Sequence, residues 1–154
     1  MIYTKRIPLL QIKADIIVCP VSKDGVLGYG LIKDIFYKYP NVYKTYSRLC
    51  ELKLMNDIYI AFDTESKQRI CFFVTKNKAT EPANIDCIAE SLNEFVKCKI
   101  PLDAVVAFPE LGYGEVDWFD VEQLMYQYLD AIPQKAYLCK NKEDRGKSTN
   151  NEKE

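Results

Sequence analysis

The chain has 154 residues, 48% of them hydrophobic, and a formal net charge of −1. That is the length and apolar content of one domain with a substantial core. The charge balance excludes a global basic field, so a nucleic-acid partner would have to meet a local patch. Residues 16–19 form the first short, β-branched run, the pattern of a strand buried on both faces. A glycine-hinged loop follows, Gly25-Val-Leu-Gly-Tyr-Gly30, and leads into a helix over residues 31–39 that Pro40 ends. A second helix is expected over residues 42–52, then strands over 58–62 and 70–74, both again of the kind buried on both faces. Ile85, Ile88, Ala89, Leu92 and Val96 share one face of the next helix. Residues 104–108 give another buried strand, followed by a second glycine-hinged loop, Leu111-Gly-Tyr-Gly114. Val121, Leu124, Met125 and Tyr128 mark the last helix, with Asp117 as its N-cap, and residues 136–139 a short final strand. Alternating strands and helices imply an α/β sheet with helices on both sides. Residues 1–139 read as one domain, and residues 140–154, polar and without periodicity, as a disordered tail.

What is missing narrows the chemistry. The chain contains no histidine, so Ser-His-Asp and Cys-His mechanisms are excluded. Proton transfer falls to Asp, Glu, Lys, Tyr or the backbone. Cys19, Cys50, Cys71, Cys87, Cys98 and Cys139 form no CxxC or CxH pair, so no metal site is expected. Cys71 and Cys139 sit in apolar runs and read as packed thiols. The start, Met1-Ile-Tyr-Thr-Lys-Arg, has no secretory apolar stretch behind it, and no apolar run reaches membrane-spanning length. The expectation is a soluble cytoplasmic protein without disulfides.

The two glycine loops carry the strongest signal. Glycine lets backbone N–H groups turn toward a ligand with no side chain in the way. Successive N–H groups at a helix mouth form an anion nest. Two such loops at one edge of a sheet could hold a diphosphate between them, which points to a nucleotide-like ligand.

Several segments in order resemble the macrodomain family, an ADP-ribose-binding fold. They are Ala14-Asp-Ile-Ile-Val-Cys-Pro-Val-Ser22, Gly25-Val-Leu-Gly-Tyr-Gly-Leu31, Tyr39-Pro-Asn-Val-Tyr-Lys-Thr-Tyr46, Phe73-Val-Thr-Lys76 and Phe108-Pro-Glu-Leu-Gly-Tyr-Gly-Glu-Val-Asp-Trp118. The likeness runs from about Ile7 to Cys139 and is closest to the lysine-dependent branch that removes ADP-ribose from nucleic acid or acidic side chains. It implies a three-layer α/β/α domain with a central mixed sheet. It places Gly25, Val26, Leu27, Gly28, Tyr29 and Gly30 at the distal ribose and diphosphate, with Cys19 and Ser22 where many members have asparagines. Leu111, Gly112, Tyr113 and Gly114 would close on the phosphates from the other side, and Thr75 would flank the reaction centre. Lys76 would attack the ribose C1″, since withdrawal from water favours a lysine's neutral, nucleophilic form. Glu115 would move protons, and no cofactor is required.

The resemblance also implies alternatives. One is a reader of ADP-ribose or a related nucleotide without turnover, and another is an ADP-ribose 1″-phosphate phosphatase. Pro8 stands where most members have an adenine-binding aspartate, and the second loop is shorter than the family's. Tyr29 and Tyr113, at the loop centres, could close over the ligand or stack on a sugar. Lys38, Lys44 and Arg48 could meet nucleic-acid phosphates, although a solvated helix face explains each one singly.

Overall fold

A computed structural model describes residues 1–140. Among them the chain forms β1 (Ile2–Lys5), β2 (Ile16–Ser22), α1 (Leu31–Lys38), α2 (Pro40–Glu51), β3 (Ile58–Phe62), β4 (Arg69–Lys76), α3 (Ile85–Lys97), β5 (Val105–Phe108), α4 (Trp118–Leu129) and β6 (Lys135–Cys139). A 3-10 turn at Leu9–Gln11 lies between β1 and β2. The strands make one six-stranded sheet in the order β1-β6-β5-β2-β4-β3. Its neighbours are parallel except β3, which runs antiparallel to β4. This is the mixed α/β/α sandwich expected from the sequence.

Strand periodicity builds the two cores. Along β2, Ile17 and Cys19 face one side while Ile16 and Val18 face the other. Along β4, Phe72 and Phe73 divide in the same way. One core packs Val18, Phe73 and Phe108 against Ile88, Leu92 and Phe95 of α3 and Val121 and Met125 of α4. The other packs Ile17, Cys19 and Phe72 against Ile35 and Phe36 of α1 and Val42 and Tyr46 of α2. Covering both faces is why β2 and β4 read as unbroken apolar runs. Each fully buried side chain of this size contributes roughly 1.5–3 kcal/mol.

Local chemistry fixes the helix ends. Asn84 accepts hydrogen bonds from the Asp86 and Cys87 amides and caps α3. Asp117 caps α4 by accepting from the Phe119 amide. Pro40 ends α1 and also opens α2, where its missing N–H costs nothing. The buried stripe of α3 is rotated from the expected face. Ser91 and Phe95 are buried, whereas Ala89 and Val96 are half-buried. The Ser91 hydroxyl reaches the Val74 carbonyl at 2.8 Å, which lets a polar residue sit against the sheet.

Two expectations need correction, and one strand had not been expected. β3 is not buried on both faces: Tyr59 and Phe62 are exposed, because β3 is an edge strand with a neighbour on one side only. β1 has no counterpart in the sequence reading, because Ile2 is its only buried residue and Thr4 and Lys5 give no apolar alternation. Lys140 does not begin a tail. Its amide donates to the Lys5 carbonyl, and its ammonium pairs with Glu122 at 2.8 Å with both side chains largely buried. The rest of the expected tail, residues 141–154, lies outside the described residues. Among the described residues no helix is long and apolar enough to cross a membrane.

The fold sets the stage for the site. β2, β4 and β5 are adjacent and parallel, so the segments following them emerge at one edge of the sheet. Residues 23–30 follow β2, residues 77–84 follow β4, and residues 109–117 follow β5.

Candidate active site

The loop after β2 leaves its backbone donors free. The amides of Leu27, Gly28, Tyr29 and Gly30 have no intramolecular acceptor among the described residues. The loop feeds α1 through Gly30, whose φ of 71° suits glycine and which offers no side-chain cap. These donors and the open first turn of α1 together form a place for an anion. Val26 and Tyr29 are well exposed beside them.

The loop after β5 differs from the expected helix-mouth nest. Asp117 occupies the start of α4, so this helix end is not available in the same way. The amides of Glu115 and Val116 are turned back onto the Gly112 carbonyl, and that of Tyr113 onto Glu110. The Gly114 amide has no acceptor among the described residues. Gly112 is sterically required: with φ of 70°, a Cβ there would meet Val116 Cγ2 at 2.9 Å and Ala83 Cβ at 3.2 Å. The Tyr113 ring packs edge-on against Trp118, centroids 6.0 Å apart, which fixes the outer wall of this loop.

At the same edge, the end of β4 presents Lys76. Its ammonium lies 3.0 Å from Glu115 Oε1 and 3.3 Å from Oε2. The lysine side chain is 18% exposed and the glutamate 43%, so the lysine is the more buried partner of a pair that solvent still reaches. Glu115 Oε1 also accepts from the Ala83 amide at 2.9 Å. Residues 39 positions apart in sequence, one ending a strand and one following the second glycine loop, are thus brought into contact. Lys78 is exposed and joins no ion pair among the described residues.

Other sequence candidates lie deeper. Cys19 is fully buried in the α1/α2 core, so it forms no wall of the cleft. Burial, aided by neighbouring Cys71, pushes its thiol well up, which removes it as a nucleophile. Leu111 is fully buried in the α3/α4 core and acts as an anchor for the second loop. Ser22 is buried and supports the cleft from beneath: its hydroxyl donates to Asp24 Oδ1 at 2.6 Å, and its carbonyl accepts from the buried Tyr46 hydroxyl at 2.6 Å. Thr75 is also buried, beneath Lys76, with its carbonyl accepting from the Asn84 amide. Burial of Cys139 pushes its thiol up to about 11, in keeping with a packed role.

Lys38 is at the wrong end of the molecule for the loops. It closes α1, donates to the Leu10 carbonyl, and lines an open groove with Asp15, Tyr39 and Val105, near the starts of β2 and β5. Pro8 precedes the 3-10 turn, and its carbonyl is taken by the Gln11 amide.

One residue of this edge escaped the sequence reading. Asp24 Oδ1 accepts from Ser22 Oγ and, at 3.1 Å, from the Val26 amide, and Oδ2 accepts from the Ala79 amide at 2.9 Å. Desolvation pushes this carboxyl up, but the donors from Ser22, Ala79 and Val26 outweigh it and hold the group below the ordinary carboxylate range. The signal was the Asp-Gly pair at positions 24 and 25, which reads as an ordinary turn former.

Comparisons with known proteins follow the same lines. No family model matches the sequence. A DNA ADP-ribosyl glycohydrolase of Mycobacterium tuberculosis is 27% identical over 132 residues, covering 81% of this chain. The chain spans 38% of that relative's length. The macrodomain of Thermus aquaticus DarG superposes with a TM-score of 0.83 at 24% identity, covering 90% of this chain and 97% of that one. Thermosipho africanus DarTG, solved in complex with ADP-ribose, gives a TM-score of 0.71 at 26% identity, covering 81% of this chain and 38% of that one. By sheet order, loop placement and these neighbours, the chain has a macrodomain fold and is similar to the macrodomains of DarG proteins.

Proposed function

We propose that this domain binds ADP-ribose between its two glycine loops and hydrolyses the bond joining ribose C1″ to a carrier. The relatives' description as DNA ADP-ribosyl glycohydrolases favours a nucleic-acid base as that carrier over an acidic protein side chain. The observation that carries the reading is the Lys76–Glu115 contact at the edge where the free amides of residues 27–30 emerge. The free amides and the open end of α1 would seat the diphosphate. Gly25, Gly28, Gly30, Gly112 and Gly114, with Val26, Leu27, Tyr29 and Tyr113, would line the cleft.

The chemistry then follows from the pair. Glu115 takes a proton from Lys76, and the freed amine attacks C1″. The bond from C1″ to the carrier breaks, and its electron pair leaves with the carrier, which accepts the proton from Glu115. Water then cleaves the lysyl–C1″ bond, returning the amine and releasing free ADP-ribose. Every step uses groups of this chain and water. The geometry suits it, because a base must lie within hydrogen-bond reach of the proton it takes.

Pro8 favours a second reading, an ADP-ribose reader without turnover. Its ring nitrogen has no proton, its side chain accepts nothing, and its carbonyl is engaged by Gln11. The phosphatase alternative has no comparable observation behind it. Calorimetry with ADP-ribose, followed by an assay of ADP-ribose release from a modified oligonucleotide, separates these. Binding with release supports hydrolysis. Binding without release from oligonucleotide or modified protein leaves the reader, and phosphate release from ADP-ribose 1″-phosphate would replace both.

A further inference from the structure

The segment after Lys76 is held at both ends and at two points between. It leaves the sheet where the Lys23 amide meets the Lys76 carbonyl at 3.3 Å. It returns where the Asn84 amide meets the Thr75 carbonyl at 2.8 Å. Within it, two backbone amides are captured by carboxylates from the two ligand loops. Asp24, at the start of the first loop, holds Ala79, and Glu115, after the second, holds Ala83. Residues 77–83 thus form a strap tied across the edge that carries Lys76.

The ties are not equivalent. Glu115 also contacts Lys76, so in the reaction proposed above its charge changes as it moves the proton. A neutral carboxyl accepts an amide hydrogen bond less strongly than a carboxylate. The Ala83 tie therefore weakens when the base is protonated. Asp24 makes no hydrogen bond or ion pair with Lys76 among the described residues and keeps its charge, so the Ala79 tie persists through that step. Beneath it, Ser22 and the buried Tyr46 hydroxyl fix where Asp24 stands.

We infer that Asp24 is a positioning residue, holding the strap 77–83 and, through it, the strand end that presents Lys76. This rests on the hydrolase reading for its effect on turnover, but not for its effect on the strap. The two oxygens of Asp24 divide its duties. Oδ1 shapes the first loop through Ser22 and Val26, and Oδ2 alone holds Ala79. Asp24→Asn separates them: the amide oxygen can keep the first set, while the amide nitrogen places a donor against the Ala79 donor.

The test compares the parent and Asp24→Asn by amide hydrogen exchange, ADP-ribose calorimetry and steady-state release from a modified oligonucleotide. Exchange across residues 77–83 should rise about tenfold or more, with residues 23–30 unchanged. ADP-ribose affinity should stay within about twofold, because the first loop keeps its shape. Turnover should fall about tenfold with KM unchanged, the sign of a displaced reacting group rather than lost binding. Unchanged exchange in the strap would overturn the inference. So would equal loss of protection in both segments, or full turnover with a loosened strap. Failure of the parent to release ADP-ribose would remove the hydrolase reading instead; the exchange result would still decide whether Asp24 holds the strap, and the positioning role in turnover would fall.

Discussion

The glycines show how differently neighbouring positions can be constrained. Gly112 has a positive φ, and an added Cβ would run into Val116, Ala83 and Ile88, so a side chain there disturbs the fold before it meets any ligand. Gly28 has no such conformation, and an added Cβ would touch only Ile32 Cγ2 at an ordinary 3.8 Å. Gly28→Ala should therefore leave the melting temperature unchanged and weaken ADP-ribose binding by about tenfold, because only the approach of ligand to backbone is obstructed. Gly112→Val should instead lower stability by about 2–4 kcal/mol through overpacking and backbone strain. Thermal melts beside calorimetry on both variants check this contrast. Equal melting losses would show that the first loop is as tightly packed as the second.

Among the elements, α3 matters most to the site, because its N-terminus receives the strap. Asn84 accepts from the Asp86 and Cys87 amides and gives its own amide to Thr75, joining helix, strap and strand at one residue. Asn84→Ala should cost about 1 kcal/mol in chemical denaturation, the usual loss of an N-cap. Elements buried on both faces were legible in the sequence, because β2, β4 and β5 announce themselves as short β-branched or aromatic runs. Of those defined by a neighbour, β1 was missed, and β3 was found at its bounds but not as an edge strand. β1 is held by β6 and buries only Ile2, and β3 looks like a central strand although its far side is open. The Lys76–Glu115 contact was legible through the resemblance, since the two residues follow recognisable segments. The side chains of Cys19 and Leu111 lie in the two cores, which sequence order does not reveal, because it shows that a residue is near a loop and not which face of the sheet its side chain takes. Asp24 was missed because its partner Ala79 is joined to it by folding alone.

For the whole molecule, a net charge of −1 sets what kind of nucleic-acid contact is available. In the proposed function a diphosphate is recognised through neutral backbone amides, and the charge balance supplies no global basic field to neutralise a strand. Binding of a modified oligonucleotide should therefore depend on salt only slightly more than binding of ADP-ribose itself. The logarithmic slope should correspond to about one or two additional phosphate contacts. Titrations across a range of salt concentrations measure it, and a steep slope would reveal a strand-binding patch outside the cleft. The same economy marks the catalytic machinery. With no histidine in the chain, the proposed reaction is left to one lysine at the end of β4 and one carboxylate after β5, strands that run parallel on either side of β2. The most direct measurement is ADP-ribose release from a modified oligonucleotide by the parent and by Lys76→Ala, with ADP-ribose affinity measured on both. Release by the parent alone, with affinity retained in the variant, is the predicted result. Release by Lys76→Ala at the parent rate would contradict a lysine nucleophile and with it the catalytic role of the Lys76–Glu115 pair.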